Sequence, residues 1–346
     1  MRTPEGDRRP ERARPISDHF DGQRFFNPTL PRGFEPTLWD VFKMLREPRS
    51  AWPRSVENKG VPQLDATLGI DDIAVTFVNH ATFLIQIGGV AILTDPIWSE
   101  RASPFRWTGP RRARQPGIAF DDLPKIDVIL LSHNHYDHLD LATLTKLRQA
   151  FAPTILFAAG DARLVAPLRF NDMRELDWWD ETRLGSTLKV TFVPAQHSSA
   201  RGLRDRHRSL WGGYMIASRD RLVYFGGDSG YARHFSDIRS RLGSPDIALL
   251  PIGSYEPRWF MAPIHMNPAE AVRAHRDLGA KQSIGMHFGT FQLTPEPIDQ
   301  PQADLKVALL QSGISDREFV TLHEGETRIY RSSDRVTAQL TKRNDV

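Results

Sequence analysis

The chain has 346 residues, of which 40% are hydrophobic and 25% charged, with a net charge of +3 and no cysteine. These values describe an ordinary soluble globular protein large enough for one big domain or two modest ones. They exclude a disulfide framework, a thiolate metal site and a cysteine nucleophile, and the small positive excess argues against nucleic acid as a partner.

The N-terminal residues 1–19 are polar and rich in Arg and Pro, a composition expected of a disordered arm. Residues 1–60 hold 12 Lys and Arg against 9 Asp and Glu, so the whole charge excess lies there. This region has no apolar signal core, and no stretch of the chain is apolar for the length of a membrane span. Together with the missing cysteines, that gives a cytoplasmic expectation. Residues 20–65 read as an extension packing on a domain that runs from 66 to 346. Within the extension, the stretch from Thr37 to Arg46 is apolar at 38, 41, 42 and 45, which predicts a short amphipathic helix ending before Pro48. Its apolar face either packs on the domain or meets a membrane or a second subunit.

From Ile73 onward strand patterns dominate. Ile73–Val78, Phe83–Ile87 and Val90–Leu93 surround a Gly88-Gly89 turn. Further strands are predicted at Val128–Leu131, Thr154–Phe157, Leu188–Val193, Gly213–Ala217, Leu222–Phe225, Ile247–Leu250 and Ser283–Met286. Helical patterns intervene at Leu141–Gln149, Ala162–Leu168, Phe235–Leu242, Pro268–Leu278 and Gln302–Gln311. The helix after Asn267 carries a full set of end signals, with Asn267 as cap, Pro268 first, Glu270 third and Gly279 beyond its end. Strands in meander-like groups, mixed with strand–helix alternation, predict two mixed β-sheets packed face to face with helices outside, an α/β fold of αββα type.

Chemistry concentrates in the segment Ser132–His138. His133, His135, Asp137 and His138 fall within six residues, directly after a buried strand. Imidazole and carboxylate are the ligands of zinc and similar cations, and such groups are not buried unpaired. His197, Asp228 and His287 each stand just past the end of another predicted strand. Singly, a histidine or aspartate there is a turn or capping residue. With the cluster, they complete a ligand set at strand ends, where rigid elements hold the groups and loops leave room for a substrate.

These residues carry a resemblance. His133-Asn134-His135-Tyr136-Asp137-His138 with His197, Asp228 and His287 resembles the HxHxDH…H…D…H pattern of the metallo-β-lactamase superfamily. Further stretches resemble the N-acyl-phosphatidylethanolamine-hydrolysing phospholipase D family. They are 194–197, 210–212, 225–231, Pro251 to Met261, His265-Met266-Asn267-Pro268 and 287–291. The resemblance covers about residues 20–330. Related lactonases acting on sugar-phosphate lactones share the metal pattern but not the Tyr255-Glu256-Pro257-Arg258-Trp259-Phe260-Met261 stretch.

The resemblance implies two zinc ions; the ligand types leave Mn2+ or Fe2+ open as alternatives. His133, His135 and His197 would hold one; Asp137, His138 and His287 the other; Asp228 would bridge. Gly226-Gly227 would let the backbone approach closely beside Asp228. Asp95, ahead of Pro96, forms an Asx turn or accepts a ligand histidine's N–H. His80 reads as a packed core histidine near the site. His265 matches a family position where it would hydrogen-bond the phosphoryl oxygen or protonate the leaving alkoxide. Asp137, Asp228 and His265 are thus the catalytic candidates. His19, His207, His234 and His275 are expected at the surface.

Five arginines without an acid between Arg101 and Arg114, and Arg201, Arg204, Arg206 and Arg208 after His197, suit either a bound anion or solvated loops. The run Trp259-Phe260-Met261-Ala262-Pro263-Ile264 is core or an apolar groove. Tyr136, Tyr255, Trp259 and Phe260 are the candidate substrate contacts. The resulting expectation is a phospholipase D-type phosphodiesterase in which a metal-bridging hydroxide attacks the phosphorus of N-acyl-phosphatidylethanolamine or a similar lipid. Phosphatidic acid and an N-acylethanolamine would be released. Peripheral membrane contact and a homodimer accompany that expectation. A lactone hydrolase on the same centre and a non-catalytic metal- or lipid-binding module are the alternatives.

Overall fold

The computed structural model describes residues 14–31, 36–64, 67–202 and 204–332. The expected arm at 1–19 falls outside this range up to residue 13. Two seven-stranded sheets make up the fold. The first contains β1 (Ile73–Asn79), β2 (Thr82–Ile87), β3 (Val90–Thr94), β4 (Val128–Leu130), β5 (Thr154–Ala158) and β6 (Met173–Leu176) in that order, with β14 (Thr327–Tyr330) outside β1. The second runs β7 (Glu181–Leu184), β8 (Leu188–Pro194), β9 (Gly212–Ser218), β10 (Arg221–Phe225), β11 (Ile247–Pro251), β12 (Gln282–Met286) and β13 (Phe319–Val320). The helices are α1 (Leu38–Leu45), α2 (Leu141–Phe151), α3 (Ala162–Val165), α4 (His234–Leu242), α5 (Arg258–Met261), α6 (Pro268–Leu278) and α7 (Gln300–Ser312).

Strand directions place the site. In the first sheet β1–β2 and β2–β3 pair antiparallel and β3–β4–β5–β6 parallel, so β1, β3, β4, β5 and β6 all point one way. In the second, β8–β9 and β9–β10 are antiparallel and β10–β11–β12–β13 parallel, so β8, β10, β11, β12 and β13 share a direction. His80, Asp95, His133, His197, Asp228 and His287 all follow the C-terminal ends of strands from these two sets. Two sheets packed face to face therefore bring both groups of strand ends to one edge.

Side-chain alternation divides the core. Val128 and Leu130 on β4 join the large inter-sheet core with Phe77, Phe192, Tyr214 and Phe225. Ile129 and Leu131 face outward to Leu144 and Leu147 of α2. Each such fully buried side chain contributes roughly 1.5–3 kcal/mol of burial free energy. On the other face, α6 is fastened as its end signals require. Asn267 and Glu270 form a reciprocal capping box, and Gly279 closes the helix in the left-handed conformation at φ 61°.

The four histidines expected at the surface are buried instead. His234 opens α4 beside Phe235 and Ile238 on its inner face, and its Nε2 lies 3.2 Å from the Ser229 hydroxyl. His275 shares the inward face of α6 with Ala271 and Leu278, its Nδ1 2.8 Å from the Ser283 hydroxyl. His207 packs on Trp211, and His19 stacks on Trp178 while contacting Asp177. A helix or loop face decides such placements, and polarity alone misleads. Nor is α1 apolar-face-down. Trp39, Phe42 and Leu45 remain exposed, and the helix region is tied to α5 by Lys43 over the Trp259 ring and by the Trp259 indole N–H donating to Glu47.

Candidate metal centre

At the common edge, the side chains that the sequence nominates converge into neighbouring groups. The ligand-capable atoms of His133, His135 and His197 lie within 4.8 Å of one another, and so do those of Asp137, His138, His287 and His80. Asp228 stands between the groups. Its Oδ2 is 3.0 Å from His287 Nε2 and 3.1 Å from His138 Nε2 on one side, and 3.7 Å from His197 Nε2 and 3.9 Å from His133 Nε2 on the other. Gly227 makes the approach of Asp228 feasible. It sits at φ 57°, and a Cβ there would lie 2.6 Å from that of Ser132.

The surrounding framework is built from backbone and buried side chains. Asp95, itself left-handed at φ 33°, contacts Nδ1 of His138 at 2.6 Å and accepts from the Ser132 amide and hydroxyl. His133 Nδ1 meets the same Ser132 hydroxyl at 2.9 Å. His197 Nδ1 lies 2.9 Å from the Ile264 carbonyl, and Asn134 points away from the cluster to donate to Asp161. Three of these partners went unrecognised from sequence. Asn27 grips the His197 backbone from both sides, with Nδ2 donating to its carbonyl and Oδ1 accepting from its amide. Ser132 and Asp161 are the others. A contact across 170 residues leaves no local spacing to read.

The electrostatics separate the groups. Burial, reinforced by neighbouring imidazoles, holds His133 well below its ordinary range and pushes His135 down to about 3; burial also lowers His197 despite Asp228. Burial also opposes charge on His138 and His287, yet Asp228 and Asp137 outweigh it, raising His138 well above its usual range and His287 to about 9. For Asp137 and Asp228 burial favours the acid form, but the same imidazoles prevail and keep both ionised.

The donor set fits divalent cations. Neutral imidazole and ionised carboxylate are the ligating forms, and a cation would displace the protons on His138 and His287. The second carboxylate oxygen of Asp228, buried Oδ1, has no hydrogen-bond partner among the described residues, which ligation would satisfy.

The remaining nominated residues are placed as follows. His80 belongs to the second group, with Nε2 2.9 Å from Asp137 Oδ2. His265 is buried beside His197 and Asp228, its ring 4.9 Å from that of His197 and its Nδ1 without a hydrogen-bond partner among the described residues. Tyr136 is half-buried on the ligand loop, donating to the Arg201 carbonyl beneath that residue's guanidinium. Tyr255 is buried, donates to Asp304 and lines a cavity of about 370 Å³ with Glu47 and Pro257, whose walls include none of the candidate ligands. Trp259 and Phe260 lie on α5, the first exposed and the second half-buried.

Known proteins place this arrangement in a family. Residues 91–288 match the beta-lactamase superfamily domain. The N-acyl-phosphatidylethanolamine-hydrolyzing phospholipase D 1 of Caenorhabditis elegans is 34% identical over 94% of this chain and 96% of its own length. A mitochondrial phospholipase D of Saccharomyces cerevisiae, also named as hydrolysing N-acyl-phosphatidylethanolamine, is 34% identical over 70% of this chain and 53% of its own. Among solved structures, an isothiocyanate hydrolase from Delia radicum gut bacteria superposes with a TM-score of 0.59 over 74% of this chain and 98% of its own, at 22% identity, a likeness of fold alone. The chain belongs to the beta-lactamase superfamily, as a metal-dependent hydrolase of metallo-β-lactamase fold related to the N-acyl-phosphatidylethanolamine-hydrolysing phospholipases D.

Proposed function

We propose that the protein is a phosphodiesterase of phospholipase D type that holds two zinc ions and cleaves N-acyl-phosphatidylethanolamine or a similar phospholipid. The observation carrying this reading is the position of Asp228, whose Oδ2 reaches ring nitrogens of both imidazole groups. The substrate class is taken from the C. elegans relative, whose identity spans nearly the whole chain.

His133, His135 and His197 would hold one ion and Asp137, His138 and His287 the other, with Asp228 shared and His80 supporting Asp137. Bound there, the ions supply a water acidified toward neutrality and positive charge against the phosphoryl oxygens. The chain's own residues do the rest. Asp95 fixes His138 in one orientation, and the Ile264 carbonyl and Asn27 fix His197. His265 hydrogen-bonds a phosphoryl oxygen, stabilising charge as it builds up in the transition state. Tyr136, at the partly exposed edge of the loop, borders the entering substrate. In balance, an oxygen from water joins phosphorus and the bond from phosphorus to the ethanolamine oxygen breaks. The departing oxygen takes up a proton, giving phosphatidic acid and an N-acylethanolamine.

Purified protein analysed for metal and incubated with N-acyl-phosphatidylethanolamine, bis-p-nitrophenyl phosphate and a lactone panel tests the reading. Phosphodiester turnover that disappears with chelation and returns with zinc is expected. Lactone turnover with no phosphodiester turnover would overturn it.

A further inference from the structure

A second cavity, of about 650 Å³, lies on the side of the ligand loop facing the 98–106 segment and the start of α2. It brings together two of the arginine-rich stretches, since Arg101 and Arg106 come from one and Arg201 from the other, and Lys146 of α2 joins them. Several arginines of the 101–114 stretch are engaged: Arg101 donates to the Gly109 carbonyl, buried Arg112 donates to the carbonyls of Ile97 and Ser99, and Arg114 faces Glu324. Two acids also line the cavity. Glu100 is engaged by Arg111, and the Asp140 carboxylate is filled by the Ser99 and Ala142 amides and the Thr143 hydroxyl. Arg201 is likewise committed, to the carbonyls of Asn134 and Leu139. Arg106 and Lys146 are exposed, and neither makes a hydrogen bond or ion pair among the described residues. The Lys146 ammonium lies 5.5 Å from the centre of the Phe120 ring, and no acid among the described residues faces either cation, so the lining keeps net positive charge.

Beside these cations the chain exposes an aromatic pair. Phe105 lines the cavity at 52% exposure, and Trp107 at 76% packs against it, ring centroids 5.4 Å apart. A soluble anion needs the cations but gives no reason for a Phe–Trp pair held in water. Aromatic rings beside cations suit the interface of a bilayer, where the rings sit among headgroups and Lys or Arg meet phosphate. Tyr136 of the ligand loop and Leu139 just past it belong to the cavity wall.

We propose that this cavity binds the phosphate headgroup of an anionic phospholipid in a membrane, with Phe105 and Trp107 set into the headgroup layer. None of the candidate metal ligands lines the cavity, and its occupancy does not depend on which bond the metal centre cuts.

Co-sedimentation of the full chain with phosphatidylcholine vesicles, with and without phosphatidic acid, tests it. Binding on the order of tenfold or more tighter to the phosphatidic acid vesicles is expected, weakening with added salt. Arg106→Glu with Lys146→Glu should abolish that preference. Phe105→Ser with Trp107→Ser should weaken binding to both kinds of vesicle. Melting temperature and hydrolysis of bis-p-nitrophenyl phosphate without vesicles check that the charge-reversed variant is folded, and both should match the unsubstituted protein. Equal affinity for the two vesicles, or a preference that survives the charge reversal, overturns the proposal. Inorganic phosphate binding that depends on Arg106 and Lys146, with no vesicle binding, would instead make this a soluble-anion site and overturn the lipid assignment.

Discussion

The Asp95 carboxylate and the His138 imidazole meet at 2.6 Å, with both side chains fully buried. Because the same carboxylate takes the amide and hydroxyl of Ser132, one residue just past β3 fixes both ends of the 132–138 loop. Asp95→Ala is therefore expected to lower metal affinity by roughly 10- to 100-fold. It should also cost about 2–4 kcal/mol of stability by stranding buried donors. Metal titration and denaturant unfolding of the variant check both. Unchanged metal affinity would mean that packing alone orients His138.

Asp228 is where the two histidine groups share a partner. Asp228→Asn keeps the volume but removes the charge that faces four imidazoles. Hydrolysis is expected to fall by at least about 100-fold, while the fold is largely intact, because asparagine keeps the volume of this buried side chain and an amide able to hydrogen-bond its histidine neighbours. Metal stoichiometry and a thermal melt on the same preparation separate these effects. A collapse in melting temperature would reveal a structural role instead.

His265 is within ligand distance of His197 and Asp228, yet the proposed function gives it a hydrogen bond to substrate. His265→Ala should then reduce kcat by about 100-fold or more with metal content unchanged. Loss of a metal ion from this variant would make His265 a ligand and remove it from its proposed role.

The parts of the fold legible in the sequence share a physical trait. The apolar strands β1 to β5 and β8 to β12 bury both faces or one full face and show as continuous or alternating runs. The four strands not anticipated, β6, β7, β13 and β14, are the four sheet edges. Such strands are short, and the sequences MREL, ETRL and TRIY mix charge into half-exposed positions, which keeps edges from pairing with other chains but blurs their signal. At the centre, residues of one chemical type at successive strand ends were visible because the sheets repeat that address. Asn27, Ser132 and Asp161 were not, since a polar residue that supports a ligand through the backbone has no composition or spacing of its own. His80 was readable as buried but not as Asp137's neighbour, because that contact spans 57 residues between the ends of β1 and β4, strands separated by β2 and β3 in the first sheet.

The N-terminal segment supplies a pH-dependent tie to the domain. His19 Nδ1 lies 2.6 Å from Asp18 and its Nε2 2.7 Å from Asp177, which also receives Arg14. Burial disfavours the charged imidazole, but the two carboxylates prevail and raise its pKa above the ordinary 6.5. A histidine raised on folding stabilises the folded state fully below its unfolded pKa, and that contribution is lost as pH rises through the folded value. Stability of the full chain should therefore exceed that of His19→Gln by about 1–2 kcal/mol below pH 6.5. The gap should shrink as pH rises above 6.5 and through the raised folded value. Denaturant unfolding of both proteins across that range provides the measurement, and a gap that does not change with pH would show that the folded state holds His19 neutral.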